Sequence, residues 1–407
     1  MHRSKLLMTA LLFAIPATAL SPATGAEKAY GPGVTDTEIK IGSTMPLSGP
    51  ASAFGILGKV EAAYFKKIND EGGINGRKVN LITYDDGYSP PKTVEQVRKL
   101  VESDEVLLIF SSLGTATNTA VQRYLNGKKV PQLFVGSRAS KWNKPREFPW
   151  TLGLAPSYFA EGEAYAKYLL REQPNGKIAA IFQNDDFGKD TMNGLKSGLA
   201  DRASAMIVAE EGYEVTEPTI ESRVVKLKSS GADILINITA PKFAAQVIKK
   251  TFELNWKPTH ILGSVSASIE TVLKPAGMDI SEGIISATYV KDGADPQWAN
   301  DAEAKEFNAF LASYFPEGGR SDVLVASGYT SAEALVQVLK ASGDDLTREN
   351  VMKMATNMKG VRIPMLLPDV LVNTSPDDYS GMRQLRLIKL DGNRWKTFGN
   401  LINVGSE

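Results

Sequence analysis

The chain has no cysteine. Disulfides are therefore excluded, as is a Cys–His nucleophile pair, and stability must come from packing alone. Histidine is nearly as scarce, with two in 407 residues. One of them, His260, opens the apolar run His260-Ile261-Leu262, where a lone imidazole reads as a structural residue rather than a base. Clusters of His and Cys that would hold a metal are missing. An excess of one charge is also lacking, since Lys+Arg and Asp+Glu stand at 46 each. This balance gives no reason to expect nucleic acid or an anionic membrane as a partner. The adjacent pairs Asp85-Asp86 and Asp185-Asp186 do not make an acid–base couple, because neighbours along a strand face opposite ways. They read as turn and cleft-rim residues. Asp186-Phe187-Gly188 and Gly188-Lys189-Asp190 lack the companion motifs of a kinase or a P-loop. The expectation is a protein that is not an enzyme and carries no metal or cofactor.

What is present begins with an export signal. Arg3 and Lys5 precede an apolar run from Leu6 to Leu20, broken by Thr9, Pro16 and Thr18, and a small-residue stretch, Ala23 to Ala26, follows. That order is the pattern of a signal peptide, with cleavage expected after Ala26. The run is shorter than the ~20 apolar residues of a spanning helix, and no later stretch reaches that length. Stable membrane insertion is not expected, and the absence of cysteine excludes a lipid anchor at this end. Removing residues 1–26 takes away two basic residues and no acid, leaving 44 basic against 46 acidic, a net −2. The expected location is the periplasm.

The remainder repeats one theme: a short β-branched run, a small or polar turn, then an amphipathic helical pattern. The runs are Ile39 to Gly42, Val106 to Phe110, Gln132 to Val135, Lys177 to Phe182, Asp233 to Ile238 and His260 to Gly263. Near-continuous apolar strands alternating with helices predict parallel sheets covered on both faces. Helical stripes run through Lys59 to Ile68, Thr93 to Val101 and Ala160 to Leu170. With 43% hydrophobic positions there is core enough for two domains. The fold class is α/β, doubly wound and present twice.

Ligands of such sheets sit beyond the carboxyl ends of the strands, against helix N-termini. Two turns fit that rule. Ser111 to Asn118 is rich in hydroxyls and contains Gly114, ahead of a helix expected over Thr119 to Leu125; Gly136 to Ser140 has the same character. Each can bind an anion through N–H and O–H groups together, while the first also reads as plain helix capping by Thr117 or Asn118.

A family resemblance rests on the order and spacing of several blocks. Ile39 to Gly42, Pro46 to Pro50 and Phe54-Gly55 look like the opening of the branched-chain amino-acid-binding (Leu/Ile/Val-binding) proteins. So do Asn69 to Gly76, Tyr84 to Asp86, Gln183 to Gly188 and Ser281 to Gly283. These are type I periplasmic binding proteins, the substrate-binding subunits of ABC importers, and the likeness runs from about Glu38 to Leu390. Asn126 to Val135 and Lys141 to Asn143 are similar to members that take up aromatic acids. The resemblance implies two lobes joined by a three-strand hinge, crossed near Gly153, near Gly283 to Ala287 and near Pro364. Lobe one then holds 27–153 and 284–363, and lobe two holds 154–283 and 364–407. It further implies closure of the lobes around a ligand, a population shift driven by contacts to both walls.

The resemblance also implies a pocket. Gly114, Thr115, Ala139 and Ser140 fall where relatives hold a ligand carboxylate, with Thr115 and Ser140 as the hydroxyl donors. Phe54 and Phe187 fall where aromatics cover the ligand. Ala240 stands where relatives carry a tyrosine, which frees volume for a flat ring. Val265 stands at the acid that pairs with a ligand ammonium, and a buried ammonium without a counter-charge costs several kcal/mol. Arg138 replaces a small residue; it either pairs bidentately with the carboxylate or points to solvent, the latter being the preferred reading. The expected ligand is therefore an aromatic or otherwise apolar carboxylate, handed to the permease subunits of an ABC importer. A sensory binding protein docking on a membrane partner, or a true branched-chain amino-acid binder, uses the same fold.

Overall fold

The computed structural model describes residues 28–316 and 322–404. The expected signal peptide lies outside them. In the first sheet, β1 (Glu38–Met45) buries Ile39 and Ile41 fully and pairs in parallel with β2 (Lys78–Asp85) along its whole length. The short strands β3 (Ile109–Phe110), β4 (Gln132–Leu133) and β5 (Thr151–Leu152) extend it. The order is β2-β1-β3-β4-β5, parallel throughout.

The second sheet has seven strands. These are β6 (Ile178–Gln183), β7 (Ile207–Tyr213), β8 (Ile234–Ile238), β9 (Thr259–Leu262), β10 (Ile285–Thr288), β11 (Gln384–Asp391) and β12 (Arg394–Asn403), in the order β12-β11-β10-β9-β8-β6-β7. β6 to β10 are parallel; β11 and β12 are antiparallel. The β11–β12 hairpin has a local cause. Asp391-Gly392-Asn393 joins β11 to β12, Gly392 has φ 64°, and so tight a turn returns the chain only antiparallel.

Around the first sheet run α1 (Gly55–Asp70), α2 (Pro90–Glu102) and α3 (Thr115–Gly127). Around the second run α4 (Tyr158–Glu172), α5 (Asp186–Leu199), α6 (Glu221–Ser229) and α7 (Pro241–Glu253). The chain then returns to the first lobe through α8 (Ala302–Tyr314), α9 (Val323–Ser342) and α10 (Arg348–Ala355), with α8 and α9 packed on α1. α1 buries Val60, Tyr64, Phe65 and Ile68 on one face, as its stripe predicts.

Three boundaries differ from expectation. α3 starts at Thr115 rather than Thr119, because Thr117 and Asn118 turn back to earlier carbonyls, of Leu113 and of Ser112 and Gly114, instead of capping the helix by accepting N–H bonds. Residues 285–288, assigned by the resemblance to lobe one, form β10 of the second sheet. Residues 364–379, assigned to lobe two, stay with lobe one: Val361 and Val372 exchange backbone hydrogen bonds, Thr374 bonds to Met358, and the Tyr379 N–H reaches Asn143. The chain thus passes between the sheets after Leu152, after Thr288 and before Gln384.

Candidate functional site

The carboxyl ends of the parallel strands from both sheets converge on one cavity, about 1000 Å³ of atom-free space with its open mouth included. The first lobe contributes Tyr88 after β2, Ser111 and Leu113 to Thr115 after β3 and Phe134 to Arg138 after β4, with Phe54 just ahead of α1, Leu57 of α1 and Val323, Leu324, Ser327 and Ser331 of α9. The second contributes Tyr158, Gln183, Phe187, Ser264 and Val265. Tyr88, Ser111 and Phe134 all have positive φ, 62°, 49° and 53°. Left-handed backbone is costly for such side chains, so three of them on one wall mark a place where surrounding structure fixes the geometry.

The acidic pairs build this wall rather than act in it. Asp85 accepts from Leu47 N–H at 2.9 Å and the Ser48 hydroxyl at 2.6 Å, fixing the loop ahead of Phe54. Although burial opposes it, these bonds and the Gly87 N–H hold its carboxyl down to about 2. Asp86 is buried; it accepts from Thr93 and from the Tyr88 N–H. Asp185 caps α5, accepting from Phe187 and Gly188, and so sets the Phe187 ring against Tyr158 at 4.8 Å. A Cβ on Gly188 would lie 2.1 Å from the Gln183 carbonyl oxygen, so only glycine lets this turn close.

Six of the residues singled out from sequence meet here: Phe54, Gly114, Thr115, Arg138, Phe187 and Val265. Ala139, Ser140 and Ala240 do not line the cavity. Ala139 is packed in the core beside Trp142. Ser140 gives both its N–H and its hydroxyl to Asp190 of the second lobe, at 2.8 and 2.6 Å, so it is not the second carboxylate donor. The Thr115 hydroxyl lies 2.7 Å from that of Ser137. Ala240 frees no volume, because Tyr213 fills it: its ring packs on Phe243 and its hydroxyl accepts the Ala240 N–H at 2.8 Å.

Arg138 does not point to solvent. Its guanidinium crosses to the second lobe, 2.6 Å from Glu161, and bonds the Ser264 hydroxyl. The Tyr158 and Tyr289 rings lie 4.8 and 5.9 Å from it. Glu161 also accepts from the Ser264 N–H, the Ser264 hydroxyl and Tyr165. Both Arg138 bonds use Nη2, so Nε and Nη1 have no acceptor among the described residues. Behind Ser111, whose hydroxyl donates to it at 2.6 Å, lies the fully buried Glu61; burial pushes its carboxyl well above the usual range. His260 accompanies Asn237 at 3.2 Å in the second lobe, away from the cavity, and burial lowers it to about 4. Sequence reasoning missed Tyr88, Gln183, Glu161 and Tyr289; the strand-end rule applied after β2 would have found Tyr88.

The chain's relatives agree with this architecture. Leu/Ile/Val-binding protein homolog 7 of Brucella abortus (strain 2308) is 23% identical over 328 residues, covering 77% of this chain and 80% of its own. The fatty acid ABC transporter substrate-binding protein from Thermomonospora curvata superposes with a TM-score of 0.80 at 20% identity, over 92% of this chain and 95% of that one. A branched chain amino acid ABC transporter from Thermus thermophilus with bound valine gives 0.80 at 17%, over 91% and 97%. The family model for periplasmic binding proteins matches residues 38–394, from the first strand of one sheet to the last of the other. A two-lobed α/β chain with its cavity between the lobes, matched along that length, belongs to the periplasmic binding protein family.

Proposed function

We propose that the protein is exported to the periplasm, captures a small carboxylate with an aromatic or aliphatic body between its lobes, and delivers it to the permease of an ABC importer. One observation carries the ligand class: among the described residues lining the cavity, Arg138 is the only charged one. Glu161 occupies one edge of its guanidinium and leaves Nε and Nη1 for an incoming carboxylate. The rest of the wall is apolar or neutral, with Phe54, Leu57, Phe134, Phe187, Val265, Val323 and Leu324 available to an apolar body. An α-amino acid would bring an ammonium with no lining carboxylate to meet it, at a desolvation cost of several kcal/mol. Calorimetry with benzoate, 4-hydroxybenzoate, cinnamate and octanoate, against leucine, isoleucine and valine, tests this. Binding is expected among the acids and not among the amino acids; tight binding of any of the three amino acids refutes it.

A further inference from the structure

Tyr88 is held from three sides. The Asp86 carboxylate accepts its backbone N–H at 2.9 Å and the Thr93 hydroxyl at 2.7 Å, fixing a turn in which Tyr88 has φ 62°. Its ring lies on Gly114, the residue that caps α3: a Cβ there would stand 2.6 Å from Tyr88 Cε2. Its hydroxyl meets the second lobe at Gln183 Nε2, 3.3 Å away. The ring therefore covers the amino end of α3, whose free N–H groups and positive dipole end would otherwise face the cavity and attract an anion.

The direction of the Tyr88 hydrogen bond follows from a chain of constraints. The Ala240 N–H donates to the Tyr213 hydroxyl at 2.8 Å, so Tyr213 gives its own proton onward, to Gln183 Oε1 at 3.1 Å. That fixes the Gln183 amide: its Nε2 donates to Asp185 at 2.7 Å and to Tyr88. Tyr88 oxygen is thus the acceptor in this bond, and its own proton has no acceptor among the described residues. Burial pushes the phenol well above its usual range, so the proton stays on at all physiological pH.

We infer that Tyr88 determines specificity: its ring seals the α3 N-terminus against small anions, and its hydroxyl, with Arg138, is the donor a ligand carboxylate meets instead. The inference rests on the carboxylate reading above, and the experiment separates the two. Wild type, Tyr88→Phe and Tyr88→Ala are labelled with ¹⁵N and titrated with acetate, and each is examined by calorimetry with benzoate, 4-hydroxybenzoate, cinnamate and octanoate. Amide signals of Thr115, Ala116 and Thr117 should move saturably with acetate in Tyr88→Ala alone. Tyr88→Phe keeps the ring over the helix end, though not the hydroxyl that the Thr115 N–H faces, and should lose about tenfold in affinity for whichever of the four acids wild type binds, the effect of one missing charged hydrogen bond. Acetate moving those amides equally in wild type, or failing to move them in Tyr88→Ala, overturns the seal. Unchanged affinity in Tyr88→Phe overturns the donor role, and that variant keeps the test open if Tyr88→Ala does not fold. Should wild type bind none of the four acids, the carboxylate reading falls while the acetate titration still decides the seal.

Discussion

The Arg138 guanidinium, carried by the first lobe, lies 2.6 Å from the Glu161 carboxylate on α4 of the second; Glu161 is buried and Arg138 largely so, 11% exposed. The two partners are not equivalent. Glu161 keeps Ser264 and Tyr165 as donors if the arginine is removed, whereas Arg138 retains only the Ser264 hydroxyl if the acid is removed. Arg138→Met should therefore weaken binding of a carboxylate by about 10- to 100-fold, the loss of a charged hydrogen-bonding partner. Its effect on urea stability should be smaller than that of Glu161→Gln, which strands a buried charge at a cost of ~3–5 kcal/mol. Equal destabilisation by the two changes, measured by urea unfolding, would mean that the Ser264 and Tyr165 donors do not make up for the lost guanidinium at Glu161.

Glu61 gives a pH dependence of known sign. Its carboxyl titrates above the ordinary 4.5 when folded, so the folded state holds its proton where the unfolded chain has released it. Stability is then lost as pH rises above 4.5, by at most about 1.4 kcal/mol per unit, until the folded group ionises. Glu61→Gln keeps a partner for Ser111 and removes the proton. The variant should gain on wild type as pH rises above 4.5 in chemical denaturation, until the folded Glu61 ionises. A difference that does not change with pH would place an ionised carboxylate at Glu61.

His260 works in the opposite direction. It is buried and lowered to about 4, below the ordinary 6.5, so as pH falls the unfolded chain takes up the proton first. Its contribution is intact above 6.5 and is lost between 6.5 and 4. His260→Gln should flatten that part of the stability curve relative to wild type. A curve of unchanged slope across this window would show the imidazole to be protonated in the folded protein.

Much of this was legible in the chain, and the rest was not for physical reasons. The apolar runs from Ile39 to His260 located six of the ten parallel strands of the two sheets, since burial on both faces requires continuous apolar sequence; β2, β5, β7 and β10 were not read as strands. Turns after those strands located Gly114, Thr115 and Arg138, because topology alone puts them at one end of the sheets; Phe187 came from the family resemblance. Where Arg138 points was not readable: its partner Glu161 lies 23 residues on in another lobe, and nothing local requires the pair. Ser140 has the composition of a ligand donor, yet Asp190, 50 residues away, accepts both its bonds. Tyr88 was passed over because its role depends on the Gln183 orientation, which Tyr213 and Ala240 fix from across the cleft. The lobe boundaries at 285–288 and 364–379 were misplaced because they follow from pairing between distant segments rather than from local pattern.

The last expectation concerns closure. Several contacts join the lobes around the cavity, among them Arg138 with Glu161, Ser140 with Asp190, Lys141 with Asp186 at 2.8 Å, Tyr88 with Gln183 and Ser268 with Asp322. None of them needs a ligand, so the empty protein should already populate a closed form, and a ligand touching Phe54 on one wall and Phe187 on the other should only increase that population. The Lys141–Asp186 and Ser140–Asp190 contacts are both exposed, so each alone contributes little. Ser140→Ala with Lys141→Ala should therefore enlarge the radius of gyration of the empty protein in X-ray scattering, and saturating ligand should restore it. Phe187→Ala should weaken both binding and that restoration, since it removes the grip of the second lobe on the closed state. A radius that is the same in wild type and the double variant, empty and loaded, would mean that the lobes are fixed by the three passages between the sheets and that a permease distinguishes loaded from empty protein by something other than closure.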